Sequence, residues 1–205
     1  MPRDVRVGGL VIVALQQAIA EQLPTRAEFY DHWLSGASGR DGTHALAPMT
    51  AVFGFLRTEG AGYERVMSEA GRLAGAWTWE ARTPLVRRWT CALPRWWRMR
   101  AMARQARRAI AGSCTTTQAR VNASKGRVVL QVQGSVFCGG RDVPAVPLCL
   151  FYAAMTKRLF EAAGLGLLGT MDECRAHRRP DAGPDHTGGG KEELCTGTFA
   201  CVSAS

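Results

Sequence analysis

The chain has 205 residues, 46% of them hydrophobic, with 26 Lys and Arg against 17 Asp and Glu and a net charge of +9. That apolar share is ordinary for a folded protein and excludes global disorder, and the length suits one domain with an N-terminal region attached to it. No window approaches 18 uninterrupted apolar residues, so no membrane span is expected, and the charged start without a cleavage-site pattern makes the cytoplasm the expected compartment.

Taken in chain order, Leu10 to Gln22 has helical character and stops near Pro24, and a short helix follows over Arg26 to Leu34. "SGASGRDGT" (35–43) is a loop by composition, and Pro48 to Leu56 reads as another helix closed by "EGAG". Tyr63 to Trp79 is the clearest amphipathic helix, with Tyr63, Val66, Met67, Ala70, Leu73, Ala74 and Trp77 at three- and four-residue spacing. Gly71 and Gly75 stand four apart on it, which lowers helix propensity but lets another backbone come close. Pro94 suits the first turn of the next helix, which runs to Ala111. Its apolar face is expected to hold Trp96, Met99, Ala103, Ala106 and Ile110, with Arg100, Arg104, Arg107 and Arg108 opposite.

The period then changes from about 3.6 to 2. "TTTQARV" and "RVVLQVQGSVF" read as a hairpin joined by "NASKG", and Asn122 to Ser124 matches a glycosylation sequon that a cytoplasmic chain would not use. "VPLCLFYAAMTKRLFEAAG" (146–164) is a helix apolar almost all round, hence buried. "GTMDECRA" and "LCTGTFACVSA" pair as a second hairpin across the Pro- and Gly-rich stretch 177–191. The expected fold class is therefore α+β: an antiparallel sheet of two hairpins packed against several helices, with a central buried helix.

Seven cysteines, four of them after residue 140, point away from a disulfide framework in a cytoplasmic chain and toward buried thiols or metal ligation. Cys149 opens the buried helix, Cys174 ends one terminal strand and Cys195 begins the other, so the three are candidate zinc ligands. The fourth position is open among Asp172, Glu173, His177 and Cys201. Core packing and a reactive thiol are the other readings of Cys149. No P-loop is present, and "GLGLLGT" (164–170) follows a helix and precedes a strand, the reverse of a dinucleotide fingerprint, so no nucleotide cofactor is expected.

Between Ala81 and Cys114 lie nine arginines and no acidic residue. Such a run attracts nucleic acid, anionic lipid head groups or a carboxylated ligand, or is simply a solvated helix face. With the neighbouring tryptophans it suits a large flat ligand bearing carboxylates. The candidate ligand-binding residues are Trp77, Trp96, Arg100 and Arg104, together with Phe137 and Tyr152. Nucleic acid is not the expected partner.

The order of "YERVMSEAGRLAGAWTWEARTP", "LPRWWRMRAMARQARRAIAGS", "QGSVFC", "PLCLFYAAMTKRLF" and cysteines in paired terminal strands resembles the 4-vinyl reductase domain, in particular its bacteriochlorophyll branch. The resemblance spans about residues 60–201, which makes 61–205 the family-like domain and 1–60 a helical region that is part of it or packed on it. It implies the fold of trafficking-complex subunits, a homodimer, and a hydrophobic, aromatic or tetrapyrrole ligand. It also implies zinc on Cys149, Cys174 and Cys195, with the family's acidic ligand position falling at Met171. The activity it implies is handling of a tetrapyrrole in bacteriochlorophyll biosynthesis, assisting or carrying out reduction of a vinyl group beside a pigment-synthesis enzyme. The alternative is a non-catalytic sensor or scaffold domain for a small hydrophobic or aromatic ligand.

Overall fold

The change of period after residue 111 is where the chain passes from helices to sheet. The computed structural model of the chain describes residues 5–35, 43–138, 149–173 and 194–203. In the first half, strand β1 (Arg6–Gly8) pairs antiparallel with β2 (Thr43–Ala45), with Val7 opposite His44. Helix α1 (Gly9–Gln22) follows β1, then a 3-10 turn (Pro24–Arg26) and α2 (Ala27–Ser35). After β2 come α3 (Leu46–Thr58), α4 (Ala61–Glu80), α5 (Pro84–Ala92) and α6 (Arg95–Ala111).

The second half builds the sheet. Strands β3 (Gln118–Ser124) and β4 (Arg127–Gln133) form a hairpin, and a 3-10 turn (Val136–Cys138) ends it. Helix α7 (Leu150–Ala162) leads into β5 (Leu165–Glu173), which pairs antiparallel with β6 (Leu194–Ser203). The four strands lie in the order β3-β4-β6-β5, all antiparallel, with the hairpins joined where β4 meets β6. The architecture is thus α+β, a sheet packed against helices, as its patterning predicts.

The sheet's inner face is written in alternation. Val128, Leu130 and Val132 on β4 are buried, and so are Cys195, Phe199 and Cys201 on β6. The β3–β4 turn is tighter than the sequence suggests: Asn122 and Ser124 are in the strand, and only Lys125 and Gly126 turn the chain. Both have positive φ, 46° and 75°, the twist that matches two-residue hairpins.

Helix α7 packs against α4 on one side and β5 on the other, with Phe151, Tyr152, Met155, Thr156, Leu159 and Phe160 all buried. Its approach to α4 depends on two glycines. A Cβ at Gly71 would lie 2.3 Å from the Phe151 carbonyl oxygen, and one at Gly75 would lie 2.7 Å from that of Met155. Helix α1 covers α4 from the far side, and α6 lies against β3 and α7. The N-terminal residues share this core: Gly8 N–H donates to the Ser113 carbonyl at 2.9 Å, and Arg57 donates to the Phe137 carbonyl at 2.7 Å.

Two local expectations change. The arginine-rich lead-in to α6 contains a helix of its own, α5, started by Thr83, whose hydroxyl accepts from the Val86 N–H, with Pro84 at the first helical position. Trp96 is exposed rather than on the buried face, which instead holds Met99, Met102, Ala103, Ala106 and Ile110. Arg95 donates to the Cys201 carbonyl near the end of β6, which places the first turn of α6 beside the end of the sheet.

The glycine seam gives a paired prediction. Gly71→Ala must push α4 from α7 and should cost about 1–3 kcal/mol, a drop in Tm of several degrees. Gly54→Ala, on an exposed face of α3 where a Cβ meets nothing within 4 Å, should leave Tm equal or higher. Thermal unfolding followed by circular dichroism reads both, and equal effects at the two positions would refute the seam.

Candidate functional site

Two constellations carry chemistry, one inside the protein and one on its helical surface. The inner one is a group of three thiols. Register builds it: Cys195 sits opposite Val132 on β4, near the end from which the chain folds back through the 3-10 turn to Cys138. Cys149 stands at the N-cap of α7, which the α4 contact holds against the sheet. The Cys138 sulfur lies 3.0 Å from that of Cys149 and 3.4 Å from that of Cys195, and all three sulfurs are within 4.8 Å of one another. All three residues are buried. The Ser135 hydroxyl is 3.5 Å from the Cys149 sulfur.

A tetrahedral thiolate site at ordinary zinc–sulfur lengths places its sulfurs about 3.8 Å apart. The shorter two of these gaps would need to open by less than about 1 Å to meet that spacing. The three cysteines can therefore hold a metal ion. Cys149 and Cys195 were candidate ligands in the sequence, whereas Cys138, which the fold brings beside them, was not, because a 3-10 turn after a strand carries no periodic signal. Cys174 lies outside the described residues, as does His177. Cys201 shares the inner face of β6 but is six residues from Cys195, about 20 Å along a strand, so it is no member of this cluster. Met171 is buried on β5, opposite Gly197.

The thiols adjoin an aromatic block. Phe137 and Tyr152 are both fully buried, with ring centroids 5.1 Å apart, and Phe137 also meets Phe53 at 5.0 Å and Phe151 at 5.1 Å. The Tyr152 hydroxyl is 3.1 Å from the Ser113 hydroxyl. Burial, with the Cys149 sulfur as a lesser cause, pushes the Tyr152 phenol well above its usual range, so it stays protonated. These two aromatics are packed core.

The outer constellation is a groove of roughly 570 Å³ between the end of α4 and the last turns of α6, closed at one side by Leu10. Trp77, Arg82, Gln105 and Arg108 line it. Arg82 donates to the Gln105 side-chain oxygen. Partial burial, and then the positive charge of Arg108, hold the Arg82 guanidinium below its usual range. Among the described residues neither arginine has a carboxylate partner, and the lining contains no acidic residue. Of the residues expected to bind ligand, Trp77 is in this groove; Trp96, Arg100 and Arg104 are exposed along the outside of α6. The Arg100 guanidinium stacks 5.4 Å from the Trp96 ring centroid.

No family model and no curated protein matches this chain. Among solved structures it is similar to an H-NOX protein from S. oneidensis in the Fe(II)NO ligation state, with a TM-score of 0.57 over 96% of this chain and 99% of that one. Sequence identity is 9%, so the likeness speaks for the fold alone. The resemblance to the 4-vinyl reductase family is corrected by this finding, and the reading of bacteriochlorophyll handling and vinyl reduction goes with it. That resemblance rested on the order of helices, hairpin, buried helix and hairpin, which belongs to an architecture that this chain shares with an H-NOX protein.

Proposed function

We propose that this chain is a non-catalytic small-molecule-binding domain of the sensor or scaffold kind, taking an aromatic or apolar ligand that carries an anionic group. The observation that carries the proposal is the pair of guanidiniums, Arg82 and Arg108, sharing a groove with the Trp77 indole and no carboxylate. Two like charges beside one another raise the energy of the empty groove, and a carboxylate or phosphate between them relieves it through charge-assisted hydrogen bonds. The indole and Leu10 supply apolar surface for the rest of the ligand. The groove's volume is in the range usual for small-molecule sites. Its polar groups are two cations, an amide and the Thr78 hydroxyl, which is already donated to the Ala74 carbonyl, a set suited to holding an anion rather than to moving a proton.

The Fe(II)NO state of the structural neighbour raises the question of a haem-type iron group here. Among the described side chains none fits one. Such iron takes an axial His, Cys, Met or Tyr in a slot wide enough for a macrocycle. His32 is exposed on α2, and the buried thiols and Tyr152 stand beside ring-packed Phe137 and Phe151.

A second reading concerns the thiols. Their softness and closeness favour a thiophilic ion, with zinc the expected one, in a structural role that ties α7 to the sheet.

Ligand binding is tested by titrating 2-naphthoate and 2-naphthalenemethanol into the protein and following ligand-observed NMR. The carboxylate should bind, the alcohol should bind about tenfold more weakly or not at all, and Arg108→Gln or Trp77→Leu should each lower carboxylate affinity about tenfold. Equal binding of both probes by all variants would refute the groove. For the thiols, metal analysis of purified protein should give about one zinc per chain. Cys149→Ser and Cys138→Ser should lose it, and Cys201→Ser should keep it. A metal-free wild type that stays metal-free after zinc addition and dialysis would refute the second reading.

A further inference from the structure

The observation that neither the core nor the groove uses is helix α5. Of its nine residues only Thr90 is buried, while Trp89 is 68% exposed, Leu85 65% exposed and Val86 exposed as well. At 100° per residue Leu85, Trp89 and Val86 fall within an arc of about 100°, so they form one apolar stripe. The next helix begins with more of the same surface: Trp96 and Trp97 are both exposed, their ring centroids 4.3 Å apart. Nine residues of helix are marginal in water by themselves, and a stripe of three large apolar side chains left in solvent opposes the form further. Something else should cover it.

The charges around the stripe say what. Arg88, Arg100, Arg104 and Arg107 are exposed, and none has an acidic partner among the described residues. Arg95 and Arg98 are instead used structurally, donating to the carbonyls of Cys201 and Cys91, which fixes α6 against β6 and against α5. The segment from Ala81 to Cys114 contains no Asp or Glu at all. We infer that α5 and the first turn of α6 form a peripheral docking face for an anionic lipid bilayer, with Leu85, Val86, Trp89, Trp96 and Trp97 entering the head-group region and the exposed arginines contacting lipid phosphates.

Each part of the patch has a function in that setting. Tryptophan partitions to the boundary between head groups and chains, where an amphipathic ring is better placed than in either phase. Leucine and valine gain only from the apolar side of that boundary, and arginine reaches outward to phosphate with its fork of donors. A second copy of this chain is a poorer occupant, since two such faces would bring together arginine clusters with no counter-charge. Nucleic acid would meet the arginines and could stack on tryptophans, but Leu85 and Val86 have no face for a base to stack on. No helix among the described residues is long and apolar enough to cross a membrane, so the contact is with the surface.

The test is sedimentation of the full chain with vesicles of phosphatidylcholine alone and of a phosphatidylcholine–phosphatidylglycerol mixture, with a repeat using chain-brominated lipid. Binding should occur on the mixed vesicles only, weaken about tenfold or more in high salt, and bring quenching of tryptophan emission by brominated chains. The double variant Leu85→Ser/Trp89→Ala, at exposed positions, should retain its far-ultraviolet circular dichroism and lose about tenfold or more in binding. Arg88→Gln/Arg100→Gln should lose the preference for the anionic lipid. Absence of binding to mixed vesicles overturns the inference. So does binding without quenching, or a face that instead retains an oligonucleotide or drives self-association in a Trp89-dependent way.

Discussion

The contact on which the rest of the molecule depends is the approach of two helix backbones at Gly71 and Gly75. With no Cβ at either position, α4 can lie against the carbonyls of Phe151 and Met155, closer than ordinary side chains allow. The benefit is dispersion and burial along the whole of α7, whose side chains then fill the space between α4 and the sheet. The cost is two helical glycines, each about 1 kcal/mol in intrinsic propensity, offset only while the partner helix is in place. Because α7 is held there, its N-cap, Cys149, comes to the spot where the 3-10 turn after β4 and the start of β6 also deliver thiols. The glycines therefore position a chemical group they never touch.

Of the polar side chains that this packing buries on α7, the Thr156 hydroxyl has no hydrogen-bond partner among the described residues, whereas Tyr152 has one. Tyr152, carried into the core by α7, finds the Ser113 hydroxyl just after the end of α6. Tyr30 on α2 donates to Glu59 at 3.1 Å, and burial followed by that bond pushes its phenol up to about 12. A phenol whose folded value exceeds its unfolded one of about 10 contributes stability that is fully present below about 10 and is lost as pH rises through 12. Arg57 ties the end of α3 to the Phe137 carbonyl, so the 3-10 turn bearing Cys138 is anchored from the helical side as well as from the sheet. The buried thiol group is thus braced on three sides.

Most of the helices and both hairpins were legible in the sequence because each repeats its own period: 3.6 over Tyr63 to Trp79, two over Val128 to Val132. What was not legible is non-local or aperiodic. The pairing of β4 with β6 is a long-range contact, and it alone brings Cys195 toward Cys138. Helix α5 was hidden although Thr83 and Pro84 announce a start, since its apolar residues face outward and so give no sign of a core. Trp96 misled for a related reason: its spacing fits the buried stripe of α6, yet its side chain is exposed and stacks with Trp97 and Arg100 instead. The groove was read only through Trp77, because Arg82 and Arg108 are 26 residues apart in sequence and share a lining only where the chain just past α4 meets the last turns of α6. The family resemblance failed on a different level. Element order is a property of an architecture, and short motifs strung along it add little that separates one family from another.

The same separation explains how a chain can share the fold of an H-NOX protein over nearly its whole length at 9% identity and still carry interior and surface groups of its own. A shared backbone constrains where glycine, apolar and turn residues go. It leaves open which donor atoms sit in the interior and which charges line the outside. Here, among the described residues, the interior donors are three soft thiols beside packed phenyl rings, a set that suits a compact thiophilic ion. The outer groups are guanidiniums, hard cations that stay charged throughout the biological pH range and seek anions. Because the soft donors are buried behind α7 and the cations stand on α4, α5 and α6, each can answer to its own ligand. The physical link between them is α6, whose buried side packs on α7 while its other side carries Gln105 and Arg108 into the groove.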